Sequence, residues 1–131
     1  MKNKAVEYYK SGYSCSESIV NAAVDNGLCD SSLKACATPF CAGMSSGCLC
    51  GTIAGAQMVL GYNFGRENSK NNPVCAREKA KEFVDEFKKR HKATCCRVLT
   101  AGLEGAARKE HCIKLVADSA EILENLLKVK V

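Results

Sequence analysis

The chain has 131 residues, 47% of them hydrophobic and 25% charged, with ten cysteines and a net charge of +5. That length suits one moderate core, and the composition excludes wholesale disorder. The apolar runs are too short and too broken by Gly and Lys to span a bilayer, so no membrane insertion is expected. Met1-Lys2-Asn3-Lys4 is basic, but Ala5-Val6-Glu7-Tyr8 is no apolar signal core. A cytoplasmic, reducing location follows as the expectation. There, clustered thiols serve metal or redox chemistry more often than stable disulfides.

In chain order, Lys4 to Lys10 reads as a short helix ending near Gly12. A second helix starts at Ser14, where Ser14-x-x-Glu17 is a capping box, and Gly27 stops it. Cys15, Ile19, Ala22 and Ala23 share its inner face. Ser31 or Ser32 caps a short helix ending before Pro39. Residues 40–51 form a loop rich in glycine and cysteine. A central helix of small residues follows to a stop at Gly61, its Gly51 and Gly55 allowing close backbone approach. Pro73 fits the first position of a long helix to about His91, with Ala80, Phe83, Val84 and Phe87 as its apolar stripe. Thr94 can cap a short helix from Cys95 to Thr100. Gly102 and Gly105 mark a loop, and a last helix runs from near Lys109 to about Lys128. No stretch alternates as a strand. The expectation is all-α: one domain over residues 1–131, a small bundle of about four main helices plus short ones, with a Gly/Cys-rich loop.

The basic excess is concentrated between Arg77 and Arg97. No aromatic platform or recognition motif accompanies it, so it reads as a solvated helix face and no nucleic acid partner is expected. His91 suits a helix C-terminus, and His111 is too close in sequence to Cys112 to share its face. No Ser–His–Asp set, phosphate loop or dinucleotide fingerprint is present.

The thiols carry the chemistry. No Cys-x-x-Cys pair occurs, which argues against zinc knuckles, thioredoxin motifs and two-cluster ferredoxins. Four thiols fall at expected helix starts: Cys15, Cys50, Cys95 or Cys96, and Cys112. Unpaired N–H groups and the helix dipole favour an anion there, so lowered thiol pKa values and convergence on one pocket are expected. Cys96 with Leu99 makes the better inward pair. Cys41, Cys48 and Cys95 are secondary candidates as ligands or resolving thiols. Cys29, Cys36 and Cys75 read as packing or surface residues.

At these residues the sequence resembles the redox-active family named for a cysteine–glycine motif, C_GCAxxG_C_C. Gly12-Tyr13-Ser14-Cys15-Ser16-Glu17-Ser18 is similar to its early segment, and Phe40-Cys41-Ala42-Gly43-Met44 to its glycine loop. Cys50-Gly51-Thr52-Ile53-Ala54-Gly55-Ala56 is similar to its central motif. The segments around Cys96 and Cys112 resemble the third and fourth. The resemblance implies a redox role for Cys15, Cys50, Cys96 and Cys112, with Gly47, Gly51 and Gly55 shaping the loop. Four converging cysteines are the number that an iron–sulfur cluster needs, and a glycine loop suits close approach to its sulfurs. The alternatives are a thiol–disulfide protein, with Cys50 and either Cys15 or Cys112 as the pair, and a non-redox helical interaction domain. A redox partner protein is implied, and the small-residue helix faces are compatible with a homodimer.

Overall fold

The computed structural model describes residues 1–128, and among these there is no strand. Helices α1 (Lys2–Lys10), α2 (Cys15–Asp25), α4 (Gly51–Phe64), α5 (Val74–His91) and α7 (Gly105–Lys128) make the bundle. Two four-residue helices, α3 (Leu33–Cys36) and α6 (Cys96–Leu99), sit in the connections. The all-α expectation holds.

The α2 start is built as its sequence requires. The Ser14 N–H donates to Glu17 Oε1 at 2.9 Å, and Ser14 Oγ accepts from the Glu17 N–H. Thr38 Oγ1 donates to the other Glu17 oxygen at 2.8 Å. These bonds hold the Glu17 carboxyl below its usual range, the Ser14 amide most of all. The box therefore also ties α2 to the turn that leads into the loop.

The core is Ile19, Val20, Ile53, Val59, Leu60, Phe83, Phe87, Val116, Leu123 and their small neighbours. Its closest seam is α2 on α4. A Cβ on Gly55 would come within 2.8 Å of the Ser16 carbonyl oxygen, and one on Gly51 within 2.5 Å of Cys15 Sγ. Gly51 and Gly55 thus shape a helix crossing, not the loop. Several boundaries differ from the sequence reading: α1 starts at Lys2 rather than Lys4, and Pro73 is the cap before α5 rather than its first residue. Helix α4 continues past Gly61 to Phe64, because Gly61 has open space around it and the Asn63 amide donates back to Val59 and across to Leu28. Helix α6 is capped by Cys95, not Thr94, whose carbonyl instead accepts from the Cys50 N–H at 2.8 Å. Helix α7 begins at Gly105, one turn before Lys109. His91 closes α5, but its ring packs on Phe87 and lies 2.8 Å from Asp118 of α7 without hydrogen-bond alignment, so it serves a helix contact rather than a cap.

The loop before α4 winds left-handed. Ala42, Gly43, Met44, Ser45 and Gly47 all have positive φ, between 50° and 72°. Such a turn costs about 1–2 kcal/mol per non-glycine residue and needs external ties. The Cys48 N–H donates to Gly43 O at 2.9 Å, and Ser45 Oγ to Pro39 O at 3.2 Å. Gly43 could not be replaced, since a Cβ there would meet the Cys48 backbone at 2.6 Å and Cys96 Cβ at 2.7 Å.

Candidate functional site

An isolated antiparallel bridge between Leu49 and Cys95 sets the site's geometry. It pins residues 94–97 alongside residues 47–50, with the Cys96 N–H donating to Cys48 O. The bridge carries α6 to the start of α4 and so brings Cys96 to Cys50. The capping box fixes Cys15 on α2, packed against Gly51. Helix α7 supplies Cys112. All four principal candidates line one cavity of about 260 Å³.

Cys41 lines the same cavity, with Tyr9, Thr52 and Arg108 among its other walls. The remaining secondary candidates stay outside it. Cys48 is exposed. Cys95 Sγ turns away to donate to Gly47 O at 3.1 Å, so Cys96 is the inward member of the doublet. Cys29 is buried in the core, and Cys36 and Cys75 are exposed. No motif pointed to Tyr9 or Arg108, because each arrives from an element whose packing only the fold decides, whereas Thr52 lies inside the central Cys50-Gly51-Thr52 motif.

The electrostatics correct one expectation. Burial pushes the Cys15 thiol up to about 12, its Cys50 and Cys112 neighbours adding to the rise while the Ala42 and Ser16 amides oppose it. Burial likewise raises Cys50, against the opposing hydrogen bond with Thr52 Oγ1 at 3.1 Å, and Cys96 adds to the rise. The helix-start amides are present at both residues, but loss of water outweighs them. Cys112 does not sit at a helix start at all, since α7 begins two turns before it. Tyr9 is raised by its own burial and next by the neighbouring Cys112. These couplings run as a chain of neighbours, Cys96 to Cys50 to Cys15 to Cys112.

Among the described residues, no group of three or more His, Cys, Asp or Glu side chains is set close enough to hold a metal ion. The cavity thiols surround a space without meeting at a point. That space exceeds the roughly 150 Å³ of a cavity that takes benzene.

Fold and site together define a small all-α protein built around a shared cavity of thiols from separate helices. The family model described as "Putative redox-active protein (C_GCAxxG_C_C)" matches residues 13–126, and the chain belongs to that family of redox-active proteins. No curated protein and no solved structure matches the chain. Among the described residues no helix is long and apolar enough to cross a membrane.

Proposed function

We propose that the chain is an electron-transfer protein whose Cys15, Cys50, Cys96 and Cys112 hold an iron–sulfur centre. The observation that carries this reading is the single cavity lined by these four thiols from α2, the α4 cap, α6 and α7. A cluster spreads its thiolates over several irons, whereas one zinc ion needs four ligands at about 2.3 Å. A cavity wide enough for a polyatomic group, with thiols around its walls, suits the former. Soft thiolates are also the donors that iron–sulfur centres select.

When bound, such a centre supplies one-electron chemistry. The chain's own residues do the rest. The buried Cys15 and Cys50 thiols, raised by burial, would have to give up their protons to hold such a centre. Thr52 Oγ1, hydrogen-bonded to Cys50, would be an outer contact tuning that ligand's basicity, and Tyr9 lines the same cavity. Gly51 leaves the space that Cys15 Sγ fills. The same raised thiol pKa values count against the thiol–disulfide alternative, since a protonated thiol is a slow nucleophile. The reading places the chain in a reducing compartment with a protein partner that gives or takes electrons.

The test is anaerobic reconstitution with iron and sulfide, read as metal content, acid-labile sulfide and visible absorption. Serine at any one of the four positions should lower iron content, while Cys36→Ser and Cys75→Ser should leave it unchanged. A colourless product with Cys15, Cys50, Cys96 and Cys112 all still titratable overturns the reading. A disulfide mapped between Cys50 and Cys15 or Cys112 after mild oxidation of that product would favour the dithiol alternative.

A further inference from the structure

A second hollow, of about 370 Å³, adjoins the thiol cavity and shares Ala42, Cys96, Thr100 and Arg108 with it. Its other walls include Ser45, Gly47 and Arg97. Cys96 is thus the principal thiol that both spaces reach. No carboxylate lines either space, and among the described residues neither Arg97 nor Arg108 has an ion-pair partner.

Arg97 is held in place. Its Nη2 donates to Ser46 O at 3.0 Å, and its guanidinium lies over Gly47, where a Cβ would come within 3.2 Å of Nε and Nη2. The glycine lets the fork rest on the loop with donors to spare. The hydroxyls nearby are already committed, Ser45 to Pro39 O and Thr100 to Cys96 O. The free donors facing the hollow therefore come from two guanidiniums, whose planar forks match the oxygens of a carboxylate, sulfate or phosphate group.

We propose that this hollow is a binding site for a small oxyanion, held by Arg97 and Arg108 beside Cys96. It goes beyond the electron-transfer reading and does not depend on it. A free inorganic oxyanion and the carboxylate of a small organic molecule share the chemistry, and the experiment separates them.

The full-length reduced, metal-free protein is alkylated in parallel with iodoacetate and with iodoacetamide, and each cysteine is quantified by peptide mass spectrometry. Cys36 and Cys75 serve as exposed references. Electrostatic focusing should raise the iodoacetate-to-iodoacetamide rate ratio at Cys96 about tenfold above that at Cys36. Arg97→Gln and Arg108→Gln should each cut the excess. Arg108 makes no side-chain hydrogen bond among the described residues, so its variant reports charge without disturbing the loop. Protection of Cys96 by sulfate, against chloride at equal ionic strength, identifies an inorganic oxyanion, and protection by succinate identifies a carboxylate. A ratio at Cys96 equal to that at Cys36, or one that neither arginine variant lowers, overturns the proposal. Iron loading does not enter the measurement, so either reading can fail while the other stands.

Discussion

Three glycines on α4 should respond to alanine in opposite directions. Gly61 has nothing within 4 Å of the added methyl, so Gly61→Ala gains only helix propensity, about 0.5–1 kcal/mol. At Gly55 the methyl would sit 2.8 Å from the Ser16 carbonyl oxygen and 3.2 Å from Ser16 Cα. Both are backbone atoms that no rotamer change can move. Overpacking costs about 1–3 kcal/mol, and the backbone clash puts this site at the upper end. Subtracting about 1 kcal/mol of propensity leaves a net loss of about 2 kcal/mol. Gly51 differs in kind. Its methyl meets Cys15 Sγ at 2.5 Å and Phe40 O at 2.7 Å, so the sulfur must leave its place or the loop must shift. Thermal melts followed by circular dichroism read the first two effects at roughly 4 °C per kcal/mol for a chain of this size. Gly61→Ala should melt higher and Gly55→Ala about 8 °C lower, on that same scale. Gly51→Ala should melt lower and should also raise the alkylation rate of Cys15, which Gly55→Ala should change less. If Gly55→Ala melts at or above the wild type, the close α2–α4 seam is not there and the placement of Cys15 falls with it.

Further outcomes follow from the site and its supports. Burial raises the Cys15 thiol to about 12, well above an exposed thiol, so the unfolded chain loses this proton first. Its contribution to stability is full below pH 9 and is lost as pH rises toward 12. Metal-free protein should therefore lose stability as pH rises from about 9 toward about 12, and Cys15→Ser should flatten that loss; an equal slope in both would refute the buried thiol. Ser14→Ala removes the acceptor for the Glu17 N–H and should cost about 1 kcal/mol in urea unfolding. A loss under a few tenths would mean that the capping box does not hold α2.

Where local chemistry decides, the sequence was legible. The capping box at Ser14 and Glu17, the all-helical pattern and the apolar stripe of Phe83 and Phe87 are local signals, and each stands in the fold. Which member of the Cys95–Cys96 doublet faces the cavity is not a helical question, since Cys95 is the extended cap of α6 and its thiol turns to Gly47 O. The start of α7 was illegible because residues 104–110 are exposed and carry no apolar rhythm. Gly61 misled because an exposed glycine within a helix costs little when the helix is anchored on either side. The thiol pKa values were misjudged for a deeper reason. A helix start can be read from a cap, but the depth to which Cys15 and Cys50 lose water depends on α7 and the loop folding over them. The Leu49–Cys95 bridge, which brings α6 to α4, leaves no pattern at all in so short a pairing.

Four of the five cavity thiols come from positions 15, 50, 96 and 112, and no short stretch of chain contains the set. During synthesis the first two emerge with neither α6 nor α7 to cover them, and the cavity forms only once α7 has been made. Domains fold as units, so the pocket has no partial version that a fragment might display. Thiol protection at Cys15 is therefore a measure of complete folding, and a chain cut short before Cys112 would expose the same sulfurs to ordinary oxidation.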